Sequence, residues 1–355
     1  MEGESVMNGG EGANSYAQNS SLQGGIVEAA RPVIEEEISA KIDVKHLSST
    51  FRIADFGCST GHNSFAAMHV ITEAIKKKFE IEGLSALTPD FHVFFNDQVF
   101  NDFNTLFKSL PPKRLYYAAG VPGSFRVRLL PKRSIDFAYS SFSLNWLSRA
   151  PKAVAENTSP AWNNGKIHHY GARKEVLEAY TNQFAEETKA FLDCRAEELM
   201  PGGLLTILLP VVPASWNPDS AYTVDTELDV FGSCLMDLAK QGRFSEAKVD
   251  SFNLPLYFTN PQEFKSIVES SNNYTFERME TLYNPGKRVL TSGPKVRATI
   301  FRAAFEFMLI NHFGGEIIDE LFELYASKLA ASSVLSDAAN DKTFEIIVVL
   351  KRKPS

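Results

Sequence analysis

Cysteine is scarce in this chain. Three thiols, Cys58, Cys194 and Cys234, lie far apart in 355 residues. That spacing offers no disulfide framework and no metal-ligand pattern, and it fits a reducing compartment. An excess of basic charge is missing as well. The formal net charge is −7, which argues against nucleic acid as the main partner. No apolar run approaches the roughly 20 residues of a membrane span. The N-terminus, Met1-Glu2-Gly3-Glu4-Ser5, has no apolar core of a signal peptide. The expectation is a cytoplasmic protein with no membrane partner. There is no internal repeat, no Gly-Lys-Ser/Thr phosphate loop, and no Ser/His/Asp or Cys/His arrangement for nucleophilic catalysis.

Aromatic side chains are plentiful. They make up 12% of the chain, with 27 phenylalanines, enough to line an apolar cavity as well as a core. The length suits one elaborated domain or two. The organising stretch is Phe51 to Ser64. An apolar strand, Phe51-Arg52-Ile53-Ala54, runs through Asp55 and Phe56 into Gly57-Cys58-Ser59-Thr60-Gly61, and a helical pattern follows at Phe65, Met68, Ile71 and Ile75. A strand, a glycine turn and a helix N-terminus form a ligand cradle, because glycine permits close backbone approach and the helix start offers unpaired N–H groups. The spacing is looser than the dinucleotide fingerprint. It suits a ligand without phosphate at the turn, such as the aminocarboxypropyl group of S-adenosylmethionine. An ordinary strand-to-helix turn is the alternative reading.

A second strand, Phe91 to Asn96, ends in Asp97. An acid at that tip accepts from ribose hydroxyls in doubly wound folds. The interval from Asp55 is about twice the roughly 20 residues usual there, and a long first helix ending in Lys76-Lys77-Lys78 accounts for the excess. Further strands are expected at Tyr116–Gly120, Ile135–Ser141, Leu204–Leu209, Tyr274–Met279 and Thr343–Leu350, one of the last two antiparallel. Helices are expected near Val27–Ile38, Glu175–Met200 (stopped by Pro201-Gly202-Gly203), Leu228–Lys240, Pro261–Ser270 and Lys295–Phe313. The resulting fold class is α/β, a mostly parallel doubly wound sheet with a helical cap. The expected organisation is a mobile segment over residues 1–12 and a cofactor-binding α/β domain over 13–212. A mainly helical cap follows over 213–330, and the final strand falls in 331–355. Trp146 stands at the carboxyl end of the sheet, where it either covers the core or walls a substrate with an indole N–H. The adjacent pair His168-His169 reads as a solvated loop or cap wall before a metal site.

Motifs in sequence order carry a resemblance: NSYAQNSS, ADFGCSTG, FFND with NDFNTLF, GVPGSF, SFSLNWLS, WNNGK, PGG and DSFNLP. Spread over almost the whole chain, they resemble the plant SABATH methyltransferases. The resemblance implies S-adenosylmethionine as methyl donor, a helical cap and usually a homodimer. By matched position it implies cofactor contacts from Tyr16, Cys58, Asn63, Asp97, Ser124 and Phe125, with Phe125 stacked on adenine. Position 98, usually an apolar residue packed on adenine in the family, is Gln98 here, a cofactor contact whose stem would cover the ring. Asn8 stands where some members carry lysine. No general base is implied. Gln23 and Trp146 match the pair that holds a substrate carboxylate. Phe142, Asn145, Glu227, Leu228, Phe301 and Phe344 would wall the acceptor site. Asn163, Asp250, Phe252 and Asn253 match a magnesium position of some members, and they would serve equally as a structural hydrogen-bond cluster.

The expected activity is carboxyl O-methylation of a small plant acid. Purine N-methylation is the alternative within the family, and a non-catalytic cofactor-binding protein is the alternative outside it. Glu227 is either a solvent-facing helix residue or a contact to a hydroxyl or cationic nitrogen on the acceptor.

Overall fold

The computed structural model describes residues 6–46, 48–213, 223–286, 292–335 and 343–354. Its first half alternates helix and strand. The elements are α1 (Ser21–Lys41), β1 (Thr50–Phe56), α2 (His62–Ile81), β2 (Asp90–Asp97), α3 (Phe103–Lys108), β3 (Tyr116–Pro122), β4 (Ile135–Ser141), α4 (Lys152–Ala155), α5 (Lys174–Glu198) and β5 (Leu199–Val211). The second half holds α6 (Thr223–Lys240), α7 (Glu246–Ser251), α8 (Pro261–Ser270), β6 (Tyr274–Leu282), α9 (Pro294–Phe313), α10 (Ile318–Ala331) and β7 (Phe344–Arg352).

The seven strands form one sheet in the order β3-β2-β1-β4-β5-β7-β6. The first five are parallel. β7 runs antiparallel to both β5 and β6. Strand order reverses between β1 and β4, and the crevice at such a switch point is where open α/β sheets bind ligands. β7 enters antiparallel, so its first residues reach the same edge at which β5 ends, with Phe344 paired to Val211.

Continuous apolar strands need cover on both faces, and the core shows it. Phe51 and Ile53 of β1 pack under α1 and α2, whereas Ala54 and Phe56 pack with α5 on the other face. A third cluster unites α6, α9 and α10 around Phe231, Phe301 and Tyr325. This cap sits beyond the sheet's ligand edge.

Three expectations change. α10 lay outside the expected helices, although its buried residues Ile318, Leu321, Phe322, Tyr325 and Leu329 keep the helical period. The strand expected at Tyr274–Met279 joins the sheet as β6, and Phe264 and Val268 of α8 pack into the core. Helix α5 ends at Glu198, so Pro201-Gly202-Gly203 falls inside β5. The described part of the N-terminal segment is pinned. The Asn8 N–H donates to the Ala303 carbonyl at 2.9 Å, and the Gly10 N–H donates to Asp102 Oδ2 at 2.8 Å.

Candidate active site

The turn after β1 builds the site's floor. Gly57 and Gly61 have φ of 95° and 97°, and Ser59 joins them in the left-handed region at 48°. Bulky residues rarely adopt that region. A Cβ on Gly57 would collide with the Ser143 side chain. The turn is held from the neighbouring strand, because the N–H groups of Gly57 and Cys58 both donate to the Asn96 carbonyl, at 2.9 and 3.0 Å. One oxygen of Asp97 accepts from the Ser59 N–H at 2.7 Å and the other from the Gln98 N–H at 2.8 Å. The two strand tips of the cradle are therefore clamped together.

Two connected chambers lie over this floor, and Tyr16, Gln23, Gly57, Ser59 and Ser141 line both. The smaller one is enclosed by Asp55, Cys58, Asn63, Ser64 and Tyr139. Asp55 is buried, and burial pushes its carboxyl up to about 7. Its Oδ2 has no hydrogen-bond partner among the described residues. A buried carboxylate is costly unless a cation or donors meet it, so this chamber is built for a cationic group. Burial also pushes the Cys58 thiol well up, which leaves it an inert wall residue. Asn63 donates to the Ser20 carbonyl at 3.1 Å and fastens the start of α1 to the cradle.

The larger chamber is lined by Asp97, Gln98 and Phe125 at one side and by Phe142, Asn145, Trp146, Leu228 and Phe301 at the other. Phe125 is fixed by a buried pair that the sequence did not announce. Arg195 bonds Glu198 at 2.7 Å and donates to the Phe125 carbonyl at 2.6 Å. Glu198 in turn accepts from the N–H groups of Leu129 and Leu130. Burial, then the nearby Asp97, raise the Tyr16 phenol, which stays protonated as a donor. Phe142 has a left-handed φ of 52°; such strain persists where surrounding structure enforces it. Trp146 is held by a backbone bond to Ser143, a bridge to Leu256, the Arg126 guanidinium on its carbonyl, and its ring against Phe305 at 5.7 Å. The Gln23, Gln98 and Asn145 side-chain oxygens are buried without partners among the described residues. They are polar groups waiting for a ligand.

The cradle, the acid at the second strand tip and the donors beneath a helical cap match a methyl-donor site, and the sequence match decides it. The profile described as SAM dependent carboxyl methyltransferase matches residues 2–353. The chain belongs to this family, the SABATH methyltransferases. It is 42% identical to a loganic acid O-methyltransferase of Catharanthus roseus over 98% of this chain and 94% of the relative. It is 38% identical to a farnesoic acid carboxyl-O-methyltransferase of Arabidopsis thaliana over 98% of each. A solved loganic acid methyltransferase with SAH superposes at a TM-score of 0.93, with 41% identity, covering 98% of this chain and 99% of that one.

For this methyltransferase several of the positions singled out in the sequence fall outside the two chamber linings. Thr343 and Glu345 line the large chamber and Phe344 does not. Successive strand residues face opposite sides, so Phe344 packs into the core beside α5. Ser124 lines neither chamber; its hydroxyl caps the Arg126 N–H at 3.4 Å. Asn8 lines neither chamber either, and its side chain bonds Glu306; its neighbours Val6 and Met7 reach the cavity instead. Glu227 neither faces solvent nor lines the chamber. It is wholly buried, with both oxygens on Arg297, and Arg297 is the residue that lines the wall.

The four residues at the magnesium position lie away from both chambers. Asn163 donates to the Asn253 side-chain oxygen at 2.7 Å and to the His168 carbonyl at 2.8 Å. That occupies one lone pair of the Asn253 oxygen. Asp250 approaches Gly165 from the same knot, and Phe252 is buried in the cap core. No group of three His, Cys, Asp or Glu among the described residues is arranged for a metal. As arranged, Asn163 and Asn253 form a structural hydrogen-bond cluster with the His168 carbonyl. His168 and His169 are buried instead of solvated. His168 bonds Asp229 of α6 at 2.8 Å, and His169 stacks among Tyr170, Tyr180 and Tyr257.

Proposed function

We propose that this SABATH methyltransferase esterifies a small plant carboxylic acid, a specialised metabolite or hormone, yielding its methyl ester and S-adenosylhomocysteine. One observation carries the reading. Gln23 and Trp146, each with a neutral N–H on its side chain, line the same cavity that adjoins an acidic cofactor cradle. Relatives whose names carry loganic and farnesoic acid support an acid as acceptor.

The residues suit the donor. Asp55 would meet its ammonium, Asp97 its ribose hydroxyls, and Phe125 its adenine. When bound, S-adenosylmethionine supplies a methyl carbon made electrophilic by a cationic sulfur. The chain's task is then alignment. A carboxylic acid of pKa near 4 is already ionised at neutral pH, so no residue need remove a proton. The Gln23 amide and the Trp146 indole N–H would hold the carboxylate oxygens without neutralising the nucleophile. The apolar wall of Phe142, Leu228 and Phe301 would exclude water. So held, one carboxylate oxygen would be aligned to take the methyl group, with S-adenosylhomocysteine as the leaving group. Positioning of this kind accounts for large rate factors by itself.

Labelled S-adenosylmethionine with a panel of acids and purines tests the reading. The expected product is a base-labile methyl ester. A base-stable N-methyl product would establish the purine alternative. Cofactor binding without turnover on any member of either class would count against catalysis.

A further inference from the structure

Beside the polar side chains of Asn145, Thr343 and Glu345, the acceptor wall carries a buried guanidinium where α9 faces it. Arg297 is 6% exposed and lines the large chamber. Its Nε donates to Glu227 Oε1 at 2.6 Å, and its Nη2 donates to Glu227 Oε2. Its guanidinium also sits over the Phe301 ring at 5.1 Å. These contacts fix the fork in one orientation. A guanidinium has five N–H donors, and the pair with Glu227 consumes two. Nη1 and the second Nη2 hydrogen have no partner among the described residues.

The position along α9 gives a ruler. Arg297, Phe301, Ala304 and Phe305 all line the chamber, one helical face at successive turns. Trp146 rests on Phe305. Eight residues of helix separate Phe305 from Arg297, about 12 Å of axial rise. The spare guanidinium donors therefore stand at the end of the chamber away from the carboxylate-holding pair.

We propose that Arg297 is a specificity-determining residue that reads a neutral oxygen, a hydroxyl, carbonyl or ether, on the part of the acceptor farthest from its carboxylate. The inference rests on the carboxyl reading given above. Glu227 matches the charge of Arg297, so the pair presents directed donors with no net charge. A second carboxylate would meet a guanidinium whose charge Glu227 already matches, and a purely hydrocarbon end would leave the buried donors unpaired. Losing a partner for buried polar groups is what gives hydrogen-bonding sites their strong discrimination. Glu227 then acts through Arg297, as its positioning partner.

The test uses pairs of monocarboxylic acids matched in carbon skeleton, with and without an oxygen at the end away from the carboxyl group. The wild type should favour the oxygenated member by about 10- to 100-fold in kcat/KM. Arg297→Met should reduce that ratio to below about threefold while the hydrocarbon acid is still turned over. Because the single change strands Glu227, the paired variant Glu227→Gln with Arg297→Met is measured beside it and should show the same collapsed ratio. Calorimetric titration with S-adenosylmethionine checks that the cradle survives. A wild type that does not discriminate, or a paired variant that keeps the full ratio, overturns the role of Arg297. Should neither variant fold, acid binding to the wild type loaded with S-adenosylhomocysteine decides, equal affinities within each matched pair overturning the proposal. These outcomes are separate from failure of the carboxyl reading, which would appear as a base-stable product or no product with every acid.

Discussion

The Asp97 carboxylate at the tip of β2 accepts a 2.7 Å hydrogen bond from the Ser59 N–H, in the turn that follows β1. One side chain thus closes the cradle and lines the chamber where the ribose would lie. Asp97→Ala should weaken S-adenosylmethionine binding by about 1.5–3 kcal/mol, the range for hydrogen bonds to a charged group. Asp97→Asn should fall between the two. Unchanged affinity in a folded variant would remove Asp97 from the site.

Asp55 makes cofactor binding pH-dependent. Its carboxyl is raised to about 7 by burial, and a bound ammonium would hold it ionised. Below that pH, binding must expel a proton, so affinity should rise by up to tenfold per pH unit toward 7 and then level off. Linkage also affects stability. A carboxyl raised above its unfolded value favours folding while protonated, and that contribution is lost as pH rises through the folded value. The protein without ligand should therefore melt at a higher temperature at pH 6 than at pH 8 as far as Asp55 contributes, and saturating cofactor should narrow the gap. Asp55→Asn should flatten the binding profile. Calorimetry across this range checks both, and a flat wild-type profile would contradict the ammonium contact.

Trp146→Phe keeps a ring against Phe305 and removes the indole N–H. The expected result is a 10- to 100-fold loss in kcat/KM for the acid, the equivalent of one charge-assisted hydrogen bond. Cofactor affinity should stay within about twofold. An equal loss of both would mean that the ring only braces the fold.

Gly57→Ala should cost both stability and activity. The new methyl group meets the Ser143 side chain at a residue whose φ is 95°, a region that costs an L-residue about 1–2 kcal/mol. Thermal melting should show a clear drop. A variant with wild-type melting and turnover would show that the turn relaxes freely.

Glu227→Ala should destabilise by about 3–5 kcal/mol, because it leaves a buried guanidinium unpaired. Replacing both partners, Glu227→Met with Arg297→Met, should recover most of that loss, since matched apolar groups avoid the desolvation cost. Denaturant melts of the three proteins give the comparison.

The local signals in this chain were strong wherever the period was clear. The continuous apolar run at Leu204 to Leu209 could only be a strand covered on both faces. The glycines at Gly57 and Gly61 marked a special turn, and both have left-handed backbone angles. Motif order determined the family, and with it the fold, before any contact was known. What the sequence could not settle was direction and partnership. Whether Phe344 or its neighbours face the cavity depends on the register of β7 against β5, which a one-residue slip would invert. Whether Glu227 faces solvent, acceptor or core depends on a residue 70 positions away. Burying a charge is affordable only when tertiary packing brings its counter-charge alongside, and no local pattern encodes that meeting. The same holds for Asp55: its identity was plain in the motif, but its raised pKa exists only because the folded sheet removes it from water.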